Sequence, residues 1–243
     1  LQSSCEKRLI GKGPIVTKTI QENNFSGIDL RTDAKVYYSQ DSLYHIDIAG
    51  QENVLDAIEF YVKENNLIIK ERFPAVFITK EPVIIHISGP NLTNLEVSGS
   101  GRIDLTSHAL ANQLNLTVSG SGSIYTNQVQ VQTLKLDISG SGNINMQEVN
   151  AESITSSVSG SGDVALQSGN AKTLSSNING SGKFDARNLP IIHVTTKTSG
   201  SGKTYVHFKE TLYVNISGSG DVYYYGEGNI TKSISGSGKL IKL

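Results

Sequence analysis

Val118-Ser-Gly-Ser-Gly-Ser-Ile124 and Ile138-Ser-Gly-Ser-Gly-Asn-Ile144 are two copies of one phrase, and its recurrence decides the fold. The Gly-Ser-Gly cores lie at 99–101, 120–122, 140–142, 160–162, 180–182, 200–202, 218–220 and 236–238. Successive steps are 21, 20, 20, 20, 20, 18 and 18 residues. A period near 20 residues means one supersecondary unit stacked on copies of itself, because a single unit cannot bury its own apolar face. Within one copy, Leu95, Val97, Gly99, Gly101, Ile103 and Leu105 alternate with Glu96, Ser98, Ser100, Arg102 and Asp104. Period two places the first set on one face of an extended segment and the second set on the other.

Later copies keep this register: Leu134, Leu136 and Ile138 precede Ile144 and Met146, and Leu212, Val214 and Ile216 precede Val222. Each unit therefore supplies two or three short strands joined by bends. Stacking at about 4.8 Å per layer pairs each strand with its equivalents above and below. The expected fold is all-β, a parallel β-solenoid (β-helix) whose eight motif-bearing layers give a column of roughly 35–40 Å. The glycines are expected to face inward and let the wall bend or approach the core.

The outward serines form two columns. One is Ser98, Ser119, Ser139, Ser159, Ser199, Ser217 and Ser235, interrupted by Asn179; the other is Ser100, Ser121, Ser141, Ser161, Ser181, Ser201, Ser219 and Ser237. Hydroxyls bonded to their stacked neighbours account for such a strip without a ligand. A flat face of small hydroxyls also suits a second copy of the chain, another protein or an extended glycan, and the second column is the candidate interaction strip.

Outside the repeat the pattern is less regular. Residues 1–24 read as a tether leading to a first strand, 25–90 as an irregular strand-rich region, and 91–243 as the regular solenoid. Tyr44-His-Ile-Asp-Ile48 alternates cleanly, Val54–Ile58 suits one helical turn, and Phe60–Val62 faces Leu67–Ile69 across a Glu64-Asn65-Asn66 turn, a hairpin signal. Leu30-Arg-Thr-Asp-Ala-Lys-Val36 matches Val97-Ser-Gly-Ser-Gly-Arg-Ile103 position for position once the glycines are replaced, so a degenerate coil is expected before the repeat.

Of the 243 residues, 21 are Lys or Arg and 22 Asp or Glu, for a net charge of −1; no basic excess points to nucleic acid or an anionic membrane surface. One cysteine, Cys5, excludes a disulfide framework and a cysteine metal site. No apolar run approaches the ~18 residues of a spanning helix. Cys5 is either an incidental thiol near a terminus or a lipidation site. Leu1-Gln2-Ser3-Ser4-Cys5 resembles the end of a lipobox but sets the leucine four places before the cysteine, where three is usual.

Catalytic signals are sparse. The column after each motif reads Arg102, Ser123, Asn143, Asp163, Lys183, Lys203, Asp221 and Lys239, with Asp163 and Lys183 placed to pair between layers. Glycoside cleavage needs two carboxylates roughly 5–10 Å apart, and this column has none on neighbouring layers. The five histidines (His45, His86, His108, His193 and His207) show no ligand spacing, so neither metal nor cofactor is expected. Tyr125, Tyr205 and Tyr223 share an outward register; the last two, on adjacent layers, are candidate contacts for a glycan. The last motif is followed only by Lys239-Leu-Ile-Lys-Leu243, which leaves a strand edge suited to self-association.

The repeated Ser-Gly-Ser-Gly-x-aliphatic units, the opening Phe25-Ser-Gly-Ile-Asp-Leu30 and the strands Tyr44–Ile48 and Leu67–Ile69 resemble the auto-transporter adhesin "head GIN" domains of Bacteroidota, over roughly residues 15–243. That resemblance implies a right-handed, pectin-lyase-like solenoid, a secreted or cell-surface lipoprotein, no catalytic residues and an adhesive role. No ligand-binding residues carry over with it. The reading that results is a non-enzymatic extracytoplasmic surface-interaction module, lipid-anchored through Cys5, with a surface glycan, a protein or another copy as partner. A self-assembling envelope scaffold is the alternative, and a carbohydrate-active enzyme a more distant one.

Overall fold

The computed structural model describes residues 7–243, so Cys5 and its expected lipidation lie outside the described residues. About three-quarters of the chain is strand (74%), wound into a β-solenoid of about 7 turns.

The strand Ser123–Gly140 shows how one coil is made. Its buried residues are Ile124 and Thr126, then Val129 and Val131, then Leu134, Leu136 and Ile138. Alternation slips at Asn127–Gln128 and at Gln132–Thr133, where two outward residues follow one another. Because side chains alternate strictly along a strand, each slip marks a corner. The Gly-Ser-Gly bend supplies the third, and the coil is three-sided. The next coil repeats it in parallel register, Ile124 beside Ile144, Leu134 beside Ile154 and Ile138 beside Val158.

Unequal motif steps are register shifts at the corners away from the glycine bend. The 21-residue step is a bulge between Leu105 and His108, which lengthens the strand Arg102–Gly120 by one residue against its neighbour. The change to 18 falls where Ala186 and Pro190 face Val206 and His207, because the later coil rounds that corner with fewer residues, and part of the loss is regained where Ile191 and His193 face Phe208 and Thr211.

The two glycines of each motif do different work. Gly140 has a φ of +125°, and a Cβ on it would stand 2.5 Å from the carbonyl oxygen of Gly120 in the coil below. Gly142 is buried, and a Cβ there would collide with Val118 Cγ1 and the Gly122 carbonyl. Only the second glycine occupies an inward position, which corrects the expectation that both do. The first makes the bend, so strands end on it and, from Arg102 to Asp221, resume on the residue after the second glycine.

The N-terminal part is threaded out of order. Strands Gly27–Leu30 and Lys35–Gln40 form a coil beneath the repeat, with Leu30 beside Val97 and Val36 beside Ile103. Beneath it lies a coil that comes later in the chain, from Asn66–Glu71 and Ile84–Gly89. Antiparallel strands then close this end: Ile58–Lys63 on Asn66–Glu71, His45–Gln51 on Ile84–Gly89, and Ile15–Thr19 outermost. The first of these hairpins turns through Glu64 and Asn65, both at positive φ (51° and 61°). The helical turn is Glu52–Leu55, with Val54 and Leu55 buried. The stretch expected as a tether carries two strands, because Lys7–Ile10 pairs with Ala75–Ile78 and Ile15–Thr19 with His45–Gln51.

One inward column changes character along the axis. Leu95, Leu116 and Leu136 are succeeded by Ser156, Ser176 and Thr196, then by Val214 and Lys232. The three hydroxyls are buried without a partner in the chain. The strand Asn229–Gly236, followed only by the short strand Leu240–Lys242, is exposed along its length. Lys232 in its inward register discourages edge-to-edge pairing.

Two stability outcomes follow from these contacts. Gly140→Ala lowers the free energy of unfolding by about 2–3 kcal/mol, while Ser141→Ala stays within about 0.5 kcal/mol, measured by denaturant titration. Thr196→Val keeps the shape and removes an unbonded buried hydroxyl, so its free energy of unfolding rises by about 1 kcal/mol in the same titration.

Candidate functional site

The second serine column lies on the bend and the first on the strand residue just before it, so together they run along an edge of the prism where a flat face was expected. Ser100, Ser121, Ser141, Ser161, Ser181, Ser201, Ser219 and Ser237 are all exposed. Their backbones are engaged: Ser141 N–H donates to Gly120 O at 2.9 Å, and Ser161 and Gly162 both donate to Gly140 O. Their hydroxyls are not. Among the described residues none of these eight Oγ atoms bonds a neighbour, so hydroxyl-to-hydroxyl stacking does not account for the strip. Ser98 is the exception in the other column, bonding Glu96 at 3.2 Å.

The face after the bend carries the charged and aromatic residues. Tyr205 and Tyr223 stack at 4.6 Å with their planes 7° apart, and the Arg187 guanidinium lies 4.1 Å from the centre of the Tyr205 ring. Each ring gives one face to the other, the second face of Tyr205 goes to Arg187, and Tyr223 has Ile241 as its register neighbour on the far side. A sugar ring therefore has little face to stack on there. Asp163 and Lys183 are neighbours in register, yet Asp163 accepts the Lys183 backbone N–H at 3.1 Å while the Lys183 ammonium goes to Asp185 at 2.8 Å. The expected inter-layer ion pair is thus replaced by a contact within one strand. Arg187, carried by the corner irregularity, completes the cluster on Asp185 at 2.7 Å.

At the other end of this face one outward column runs His86, Tyr37, Asp104, Tyr125, Asn145, Ala165. His86 stacks on Tyr37 at 5.2 Å. Asp104, 8% exposed, accepts Arg102 Nε at 2.7 Å and has Lys35 Nζ at 3.5 Å. The Arg102 guanidinium lies 3.9 Å from the centre of the Tyr125 ring. A cavity of about 390 Å³ opens beside this column at the bulged corner. Asn127, Asn145, Gln147 and Gln167 line it together with Arg102, Asp104 and both tyrosines. Carrying the match of Leu30–Val36 to Val97–Ile103 one residue further aligns Tyr37 with Asp104, which is the signal sequence reasoning missed.

The histidines are dispersed. His45 pairs with Asp47 at 2.8 Å, and His193 meets Thr211 Oγ1 at 2.9 Å. Among the described residues no three His, Cys, Asp or Glu side chains are grouped to hold a metal ion.

A family model described as "Putative auto-transporter adhesin, head GIN domain" matches residues 24–228. No curated protein matches. Among solved structures, a "putative lipid binding protein" from Parabacteroides distasonis ATCC 8503 is similar at 25% identity and a TM-score of 0.92, over 98% of this chain and 100% of its own. A "putative adhesin" from Parabacteroides merdae ATCC 43184 is similar at 23% identity and a TM-score of 0.91, over 98% and 99%. Another from P. distasonis ATCC 8503 has 23% identity and a TM-score of 0.85, over 98% and 100%. At 23% identity the two adhesins support the fold.

Burial pushes the Asp185 carboxyl up, and hydrogen bonds from Arg187 and Lys183 outweigh it, which holds the group below the usual carboxylate range. A depressed folded value stabilises the fold above the unfolded pKa, and the contribution is lost as pH falls through the folded value. The denaturation midpoint of wild type therefore exceeds that of Asp185→Asn at pH 7. Urea titrations show the gap narrowing once the pH drops below about 4.

Proposed function

Since this chain belongs to the family described as "Putative auto-transporter adhesin, head GIN domain", we propose that it is a non-enzymatic adhesion module of the cell surface, anchored through Cys5. The observation that carries this reading is the serine edge: eight exposed hydroxyls repeated at the layer spacing, backbones held and side chains unbonded. A rigid ladder of identical donors and acceptors can meet a partner at many points with little ordering cost, because the bends are already held in place by coil-to-coil hydrogen bonds. Strands stacked in register supply that rigidity, and a column with one long edge presents it away from an anchor at the N-terminal end.

A lipid-binding role, the description attached to one of the P. distasonis structures, finds less support here. The interior is filled by packed side chains, two of the cavities are lined mainly by polar residues, and a third, of about 360 Å³ beside Ile20, Ile58 and Phe60, also carries Lys18, Asp56 and Arg72. A self-assembling scaffold is disfavoured by Lys232 in the inward register of the strand Asn229–Gly236.

The test is attachment of purified protein to bacterial and host cell surfaces and to a glycan array. The triple variant Ser141→Lys, Ser161→Lys and Ser181→Lys folds as wild type, since all three side chains are exposed, and loses at least tenfold in binding. Unchanged binding moves the contact surface off the serine edge.

A further inference from the structure

The cavity beside Tyr125 has the properties of a ligand site and none of the serine edge's repetition. Its volume of about 390 Å³ falls within the roughly 300–1,000 Å³ of small-ligand sites. It exists for two local reasons. The bulge between Leu105 and His108 pushes the corner outward, and the outward column then shrinks from Tyr125 to Asn145 to Ala165 over successive layers. Bulges recur beside active sites because they re-aim side chains while disrupting the ladder only locally.

Its polar groups are only partly satisfied from within. Arg102 spends Nε on Asp104, and its two Nη groups make no hydrogen bond in the chain. Gln167 donates to Asn145 Oδ1 at 3.2 Å, which leaves Asn145 Nδ2 and Gln167 Oε1 open. Asn127 Nδ2 is engaged by Thr106 O at 2.9 Å, and its Oδ1 is open. The exposed side chain of Gln147 makes no hydrogen bond. Thr126, buried with Oγ1 unpartnered, also lines the cavity. Donors and acceptors thus succeed one another at the layer spacing of about 4.8 Å, as a hydroxyl-rich chain lying along the axis requires.

Charge narrows the ligand. Lys35 and Arg102 converge on one carboxylate, Asp104, so one positive charge is left at the Tyr125 end, and the remaining lining side chains are neutral. A planar guanidinium with two free Nη groups, backed by an aromatic ring, presents a fork that matches a carboxylate.

We propose that this cavity binds an acidic glycan, with the carboxylate of a uronate or sialate unit on Arg102 and the adjoining sugar hydroxyls on Asn145, Gln147 and Gln167. The inference rests on the adhesion reading but uses a different surface from the serine edge.

Titration calorimetry with four probes tests it: sialyllactose and lactose, and hyaluronan tetrasaccharide and its carboxyl-reduced form. Wild type binds the acidic member of at least one pair tenfold or more tightly than its neutral counterpart. Arg102→Gln abolishes that discrimination, and Gln147→Ala with Gln167→Ala weakens binding of the acidic probe at least fivefold. The latter two side chains are exposed, so this variant remains interpretable if Arg102→Gln fails to fold. No binding of any probe, equal binding within both pairs, or binding indifferent to the Gln147/Gln167 variant overturns the inference. If surface attachment is lost with the serine-edge variant and kept in the cavity variants, adhesion stands and the glycan assignment falls.

Discussion

The contact on which the structure depends is the approach of one Gly-Ser-Gly bend to the next. A Cβ on Gly120, Gly140, Gly160 or Gly218 would stand less than 3 Å from the carbonyl oxygen of the glycine in the coil below. Those carbonyls are also the acceptors that hold the following bend. Bends this close set the axial register of every coil, and because side chains alternate along a strand, that register decides which residues fill the interior. The apolar columns, the three-sided section and the position of each outward residue follow from it.

A ladder pinned at one corner tolerates irregularity at the others. The added residue near Thr106 and the shortened corner after Ala186 both fall away from the glycine bend, and the strands beyond them regain register before the next motif. Each of these irregularities sits beside a charged and aromatic cluster: Arg102, Asp104 and Tyr125 at one, Asp185, Arg187 and Tyr205 at the other. Repetition holds the column up, and departures from repetition make local chemistry. The serine edge, produced by the repeat itself, offers many identical weak contacts, whereas the Tyr125 cavity offers a few distinct ones.

The two ends of the ladder are finished differently. At the N-terminal end antiparallel strands lie across the last parallel coil and remove the open edge. At the other end the strand Asn229–Gly236 keeps an open edge and carries Lys232 where lower coils carry Leu, Ser, Thr or Val. A single ammonium in that register costs little beside water and a great deal if covered by an apolar partner.

The solenoid, the alternation within each coil and the alignment of Leu30–Val36 with the repeat were legible in the sequence, because each depends on spacing alone. Period two and a step near 20 residues leave few ways to bury the apolar set. Other features required the three-dimensional neighbours. The distinct roles of the paired glycines depend on which atom each faces, and both read as Gly in a string of letters. The out-of-order coil from Asn66 to Gly89 sits beneath one that precedes it, a placement that no local pattern encodes. Asp163 and Lys183 match by position, yet Lys183 turns to Asp185 because that carboxylate lies in its own strand. Tyr37, Asp104 and Tyr125 are separated by 67 and 21 positions and become a single column only when the coils stack. Sequence determined the repeating wall, since periodicity and burial are local demands. Tertiary structure decided the sites, since convergent chemistry depends on residues from different coils arriving side by side.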